Sequence, residues 1–305
     1  MNIADKTTAE IIELAYRLKI PVPAFNIPYL PMMRPVVEAI REMDSFALIE
    51  VARLEWKKFE SRNPQAVREE YLRWADPNHM RLHLDHIPVI DEDGQRVDYL
   101  GIIKDAIDVG FQSVMVDGSR LDFEENIHAT QEVAAIAHTA GIACEAELGA
   151  VLGHEAGPLP PYEELFRTGK GFTDVEEARR FVEETDVDWL SVAAGNIHGS
   201  ISKAAKDRKK VQARLNLIHI ALLAKATGIP LVLHGGSGVK QEYILGAAKL
   251  GMTKINIGTE IRQAYEGIYH QTGDGKAAEK SVFDRTCWIL RDYLQIAGSY
   301  SKLRG

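Results

Sequence analysis

Cysteine is scarce in this chain, long apolar runs are missing and positive charge is not in surplus, and each shortage removes a class of protein. Two cysteines, Cys144 and Cys287, cannot build a disulfide framework, so both are expected to be buried or reduced. No stretch approaches the roughly 18 uninterrupted apolar residues of a membrane-spanning helix, so no membrane association is expected. The N-terminus opens on a polar stretch and an amphipathic helix. No signal peptide is read there, and a cytoplasmic location is expected. With 36 basic against 44 acidic residues, the net charge of −8 argues against general nucleic-acid binding.

The 46% hydrophobic content of the 305 residues suffices for a core the size of one α/β barrel. Apolar, β-branched runs predict strands at Val22–Asn26, Ala47–Val51, Arg81–Asp85, Ser113–Asp117, Ala143–Leu148, Trp189–Ala194, Pro230–His234 and Lys254–Ile257. Helical patterns lie between them: Thr8–Leu18, Met32–Met43, a long charged stretch near Glu55–Trp74, Asp98–Val109, Phe123–Thr139, Val175–Glu184, Lys209–Thr227 and Lys240–Leu250. Eightfold alternation of strand and helix implies a parallel sheet with crossover helices, most economically a (β/α)8 TIM barrel. An open doubly wound sheet would need edge strands, and none is evident. Residues 1–305 read as a single barrel domain, with 262–305 as its helical C-terminal extension. There Phe283–Leu294 is amphipathic and suits a cap or an oligomer arm.

Polar groups recur where these strands end: Asn26, Glu50, Asp85 with His86, Asp117, Glu147, His198 just past Ala194, His234 and Asn256. In barrels of this class the carboxyl ends of the strands carry the active site. Three histidines at one rim, His86, His198 and His234, have the character of a metal site that keeps a position open for substrate. Asp85 beside His86 adds a carboxylate able to move a proton while a metal polarises a carbonyl. Glu147 suits a further ligand position or the orienting of a histidine. Deeper on the same faces, His83 reads as packed in the barrel interior and Glu145 as part of a buried ion pair. The stretch Pro158–Gly171 reads as an active-site flap, and Glu155 just before it as a carboxylate that joins the site when substrate binds.

His234-Gly-Gly-Ser-Gly238 is the strongest local motif, because a candidate ligand leads straight into a Gly-rich turn ahead of a helix. Successive N–H groups there, with the Ser237 hydroxyl, suit an anion. Asn256-Ile-Gly-Thr259 repeats the arrangement after the eighth strand, and the loops after strands seven and eight are where phosphate sites recur in such barrels.

These residues, in this order, resemble the class II, metal-dependent fructose-bisphosphate and tagatose-bisphosphate aldolases along nearly the whole chain. The matching stretches are Pro23-Ala-Phe-Asn26, His83-Leu-Asp-His86, Ser113 to Ser119 with Phe123-Glu-Glu-Asn126, Glu145-Ala-Glu-Leu-Gly149, Gly195 to Gly199, Leu233 to Gly238, and Lys254 to Glu260. The resemblance implies a catalytic zinc on His86, His198 and His234, with another divalent metal or a monovalent cation as further options. Asp117 and Glu147 match acidic positions linked to a second or displaced metal location. It implies that Asp85 moves the sugar hydroxyl proton during carbon–carbon cleavage and that Glu155 handles the proton of the three-carbon donor. Asn26, Gly199, Gly235, Gly236, Ser237, Asn256, Ile257, Gly258 and Thr259 would bind the sugar phosphate, most of them at the dihydroxyacetone phosphate end. A homodimer or homotetramer is implied in the same way. No Schiff-base lysine is required, and Lys254, read as opening its strand at the opposite rim, is badly placed for one.

The chain also departs from the family. Ile87-Pro88 follows His86 in place of the usual Gly or Cys, and the usual Gly-Thr-Ser-His-Gly is Gly195-Asn-Ile-His-Gly199. After the second strand, the usual Ser and Gly-rich residues give way to Leu48-Ile-Glu-Val-Ala-Arg53-Leu-Glu-Trp56. The expectation is an intact donor half and an altered acceptor half, with Glu50 or Arg53 contacting the aldehyde and Arg53 suited to an acidic group. A metal-dependent sugar-phosphate epimerase or isomerase, and a non-catalytic accessory subunit of the aldolase type, are the competing readings. Retention of Asp85 and all three histidines speaks against the accessory subunit.

Overall fold

The computed structural model describes residues 2–149, 162–196 and 213–304. Eight parallel strands close into a barrel in sequence order: β1 (Val22–Asn26), β2 (Ala47–Ala52), β3 (Met80–Pro88), β4 (Ser113–Asp117), β5 (Ala143–Leu148), β6 (Trp189–Val192), β7 (Leu231–Leu233) and β8 (Met252–Ile257). The fold is thus the expected (β/α)8 TIM barrel, and the open-sheet alternative falls because β1 pairs with β8. No helix among the described residues is long and apolar enough to cross a membrane.

Alternation of side chains along each strand sorts the interior into levels. The lower level is apolar: Ala24, Leu48, Ala143, Trp189 and Val232 pack with Ile3, Ile11 and Ile12, which close the amino-terminal end of the barrel. Ile11 and Ile12 lie on α1 (Thr8–Leu18), whose Thr7 and Glu10 form a reciprocal cap. Two residues further along the strands stand Glu50, His83 and Glu145, with Lys254 among them, all fully buried. Two residues further again stand Asp85, Glu147 and Asn256, at the carboxyl-terminal rim.

Two helical expectations change, and part of the expected flap takes a regular form. The charged stretch near Glu55–Trp74 is two helices, α3 (Arg53–Lys58) and α4 (Pro64–Trp74), not one. Pro64 cannot continue a helix from upstream, and Asn63 caps the new one by accepting the Ala66 N–H at 2.8 Å. The helix expected over Lys209–Thr227 begins at Leu217, where Asn216 caps it, and residues 197–212 lie outside the described residues. Part of the expected flap is helical over Tyr162–Thr168, while residues 150–161, Glu155 among them, lie outside the described residues.

Beyond β8, the helices at Thr259–Thr272 and Gly275–Trp288 pack on each other, and the second also lies against α2 (Met33–Glu42) on the barrel wall. A π-helical turn, Ile289–Tyr293, follows. Its Tyr293 hydroxyl donates to Val239 O at 2.5 Å and Gly236 O at 3.2 Å, so the C-terminal segment braces the loop after β7. Leu303 then joins the apolar cluster at the amino-terminal end of the barrel.

Candidate active site

The site is built where β3 breaks its register. Between Leu84 and Ile87 the pairing with β4 slips, and His86 sits at φ 35°. A regular strand would send Asp85 and His86 to opposite faces. The bulge instead brings both to the rim, so a distortion inside the strand does what a following loop was expected to do.

Asp85 is held from two sides. Asn26 Nδ2 donates to Oδ2 at 2.9 Å, and Asn256 Nδ2 donates to Oδ1 at 3.0 Å. Burial would raise the Asp85 pKa, but the positive charges of His86, Lys254, His234 and His83 outweigh it and bring it to about 2. The carboxylate is therefore ionised and fixed in place. Asn26 and Asn256, read from the sequence as substrate-binding positions, are first of all the clamp on Asp85.

The His86 and His234 rings meet edge to face, with centroids 4.3 Å apart. His86 Nδ1 is 3.2 Å from Asp117 Oδ2. His234 Nδ1 is 3.1 Å from Glu147 Oε2, and its Nε2 is 2.9 Å from Glu145 Oε1. Burial opposes a charged imidazole at both positions. Even so, Asp85, Asp117 and Glu147 raise His86 to about 9, and Glu145 and Glu147 raise His234 to about 10. Three donor groups emerge among the described residues: Asp85, His86 and His234; His86, Asp117 and Glu147; and, one level deeper, Glu50, His83 and Asp85, each with ligand atoms within 4.8 Å of one another. Five carboxylates (Glu50, Asp85, Asp117, Glu145 and Glu147) thus surround a single lysine and these imidazoles. Nitrogen and carboxyl donors converging at one rim fit a divalent cation. His198 and Gly199 lie outside the described residues. Exposure is confined to the outer edge, where the His86 and Asp117 side chains are 23% and 18% exposed.

Below lies the web that orients the site. Glu145 accepts from Trp189 Nε1 at 2.5 Å and stands 2.8 Å from Lys254 Nζ and 3.4 Å from His83 Nε2. Burial would raise its pKa, but Lys254 and the imidazole contacts hold it well below the carboxylate range. The expected interior roles of His83 and Glu145 hold. Two expectations do not. Lys254 does not open its strand at the far rim: β8 starts at Met252, so Lys254 points into the barrel, with Nζ 3.9 Å from Asp85 Oδ1. Burial opposes its charge, but Glu145, Glu50 and Asp85 push its pKa above the usual lysine range. It remains a cation and is unsuited to Schiff-base chemistry, which needs a neutral amine. Glu50 is fully buried 3.2 Å from Lys254, one level too deep to contact an aldehyde.

The loops after β7 and β8 meet as expected. Gly235 has φ 70°, which favours glycine. A Cβ on Gly236 would come within 2.8 Å of Ile255 Cγ2 and 3.0 Å of Asn256 O, so the two loops approach as only glycine permits. Ser237 is buried, and its hydroxyl has no hydrogen-bond partner among the described residues. Ile257 ends β8, and Gly258 and Thr259 open the next helix.

Sequence reasoning missed two contributors. Asn196 accepts the Ala194 N–H at 2.9 Å and donates to His234 O at 3.0 Å, fixing the backbone of a candidate ligand. Its only signal was its place inside the Gly195–Gly199 motif. Glu55, on the first turn of α3, is buried close enough to Asp85 and His86 to feel both charges. Nothing in its charged, helical surroundings marked it.

Comparison with known proteins agrees with this fold. The family described as fructose-bisphosphate aldolase class-II matches residues 6–295. A 6-phospho-5-dehydro-2-deoxy-D-gluconate aldolase from Shouchella clausii is 40% identical over 191 residues, covering 63% of this chain and 56% of that protein. The chain thus matches little more than half the length of that relative. Among solved structures, the YdjI aldolase of Escherichia coli has a TM-score of 0.74 at 27% identity, covering 95% of this chain and 97% of that one. A putative fructose-1,6-biphosphate aldolase from Coccidioides immitis, at 24% identity and a TM-score of 0.76, shares the fold over 98% of this chain and 99% of that one. The chain belongs to the class II fructose-bisphosphate aldolase family.

Proposed function

We propose that the protein is a divalent-metal-dependent aldolase that reversibly cleaves a ketose 1-phosphate or 1,6-bisphosphate to dihydroxyacetone phosphate and an aldehyde. The observation that carries this reading is Asp85: an ionised carboxylate clamped by Asn26 and Asn256 beside the facing His86 and His234 rings. Zinc or another divalent ion held by His86, His234 and His198 would supply the Lewis acidity that polarises the donor's carbonyl.

The protein's own groups divide the remaining work. Asp85 takes the hydroxyl proton of the ketose as the carbon–carbon bond breaks, and the electron pair of that bond stays with the donor carbon. Glu155 returns a proton to that carbon. The backbone N–H groups and hydroxyl of Gly235 to Ser237, with Gly199 and Asn256 to Thr259, hold the donor phosphate. Asp117 and Glu147 orient the histidines or offer a displaced ligand position. The name of the Shouchella clausii relative places a phosphate beside a ketone and a carboxylate at the far end of its substrate, which accords with a phosphorylated donor half.

Incubation with dihydroxyacetone phosphate in deuterated water tests the reading. Chelator-sensitive exchange of the carbon-bound proton is expected. No exchange by the zinc-loaded protein would refute it.

A further inference from the structure

We infer that Arg53 binds an anionic group on the aldehyde half of the substrate, so that the acceptor is an aldehyde ending in a carboxylate or a phosphate. The inference rests on the aldolase reading and adds the chemical class of its second substrate.

Position comes first. Ala52 pairs with Asp85 in the β2–β3 register, and α3 begins at the next residue. Arg53 therefore leaves the barrel at the rim level of Asp85 and His86. The same turn carries Glu55, whose carboxyl feels both of those charges, so this turn lines that side of the site.

The state of the guanidinium comes second. The Arg53 side chain is only 16% exposed. A guanidinium carries five N–H donors, and leaving them unmet away from water is costly. Among the described residues its one polar partner is Asp91 Oδ2, at 3.5 Å, longer than an ordinary N–H···O bond. Asp91 is committed elsewhere: its Oδ1 accepts the Asp93 and Gln95 N–H groups at 3.1 and 2.9 Å, closing the turn bridged by Ile90 and Arg96. Asp91 thus aims Arg53 while leaving most of its donors available. A carboxylate or phosphate oxygen would satisfy them, because the planar fork matches either group. Arg120, exposed on the loop after β4, also acts on Asp91, so two arginines face one aspartate here in a chain of net charge −8.

A purely structural role makes a different prediction. Lys58 and Glu92, 3.0 Å apart, already tie α3 to the same turn. If Arg53 were a second tether, its loss would lower stability and slow all acceptors alike.

The test is condensation of dihydroxyacetone phosphate with 3-oxopropanoate, glyceraldehyde 3-phosphate and uncharged propanal, using the zinc-loaded wild type, R53Q and R53K. The wild type should prefer one anionic acceptor over propanal. In R53Q that preference in kcat/KM should fall about 10- to 100-fold, mostly through KM, with R53K in between. Which anionic aldehyde leads identifies a carboxylate or a phosphate. Calorimetric titration of 3-hydroxypropanoate and inorganic phosphate into wild type and R53Q reads the anion site without turnover. Loss of one anion's binding in R53Q supports it. No preference in the wild type, equal loss with all acceptors, or unchanged anion binding in R53Q would overturn it. Absent donor exchange would refute the aldolase reading alone, since the titration still decides the role of Arg53.

Discussion

Asp85 owes its reactivity to neighbours that hold it. Two amides fix its oxygens, and surrounding cations keep it ionised, so it accepts a proton without first reorganising. Asp85→Asn should lower the cleavage rate about 10²- to 10⁴-fold while leaving donor proton exchange, which is assigned to Glu155. Parallel assays of cleavage and exchange check this, and equal loss of both would remove Asp85 from its role. Glu55 gives a second prediction at this scale. Burial raises its pKa to about 8, although the Ala52 N–H, 2.8 Å from its Oε2, pulls the other way. The folded state then holds a proton that the unfolded chain loses near pH 4.5. Its contribution to stability is therefore fully present below about pH 4.5 and is lost as pH rises towards 8. Glu55→Gln can still accept the Ala52 N–H. It should raise the melting temperature more at pH 8 than at pH 5, as thermal melts at the two pH values would show.

At the scale of elements, the site depends on where strands deviate and on what braces the loops. The β3 bulge turns two consecutive polar residues to one rim, and Tyr293 ties the C-terminal segment to the loop after β7. Tyr293→Phe removes the one hydroxyl proton that the two carbonyls share, an interaction worth about 1 kcal/mol. The expected result is weaker donor binding, by about 2- to 10-fold in KM for dihydroxyacetone phosphate, with a smaller change in kcat. Steady-state kinetics with varied donor would show it, and an unaltered KM would mean that the loop holds its shape alone. Much of this level was legible beforehand. The extents of β1, β4 and β5 could be read directly: β1 and β4 are short, largely apolar runs ending in a polar residue, and β5 alternates small or apolar residues with Glu145 and Glu147. The break at Asn63-Pro64 was missed although its signal is local, because the charge pattern runs through it.

For the whole molecule, the barrel brings five acidic side chains and three histidines (His83, His86 and His234) around one lysine, and this set of oxygen and nitrogen donors suits a divalent cation. Metal that binds only the folded state should stabilise it by about 3 to 4 kcal/mol at 100 to 1,000 times its dissociation constant. For a chain of 305 residues this is a rise of about 4 to 6 °C in melting temperature. Calorimetric melts before and after chelation, then with zinc restored, measure it, and identical curves would argue against a resident metal.

The sequence alone determined the barrel, because eight alternations of strand and helix admit few other closures. It also determined which rim is polar, because side-chain alternation carries Asp85, Glu147 and Asn256 to the carboxyl ends. Tertiary structure decided the rest. Lys254 became part of the site because β8 begins two residues earlier than its apolar pattern indicates, which moves the lysine from a rim to the interior. Glu50 and Arg53 exchanged prospects for a similar reason. One turns inward to a buried ammonium, and the other leaves the strand beside Asp85 with most of its donors unspent. Strand periodicity tells which residues share a face, but depth and partners depend on register between strands, which closure of the barrel sets.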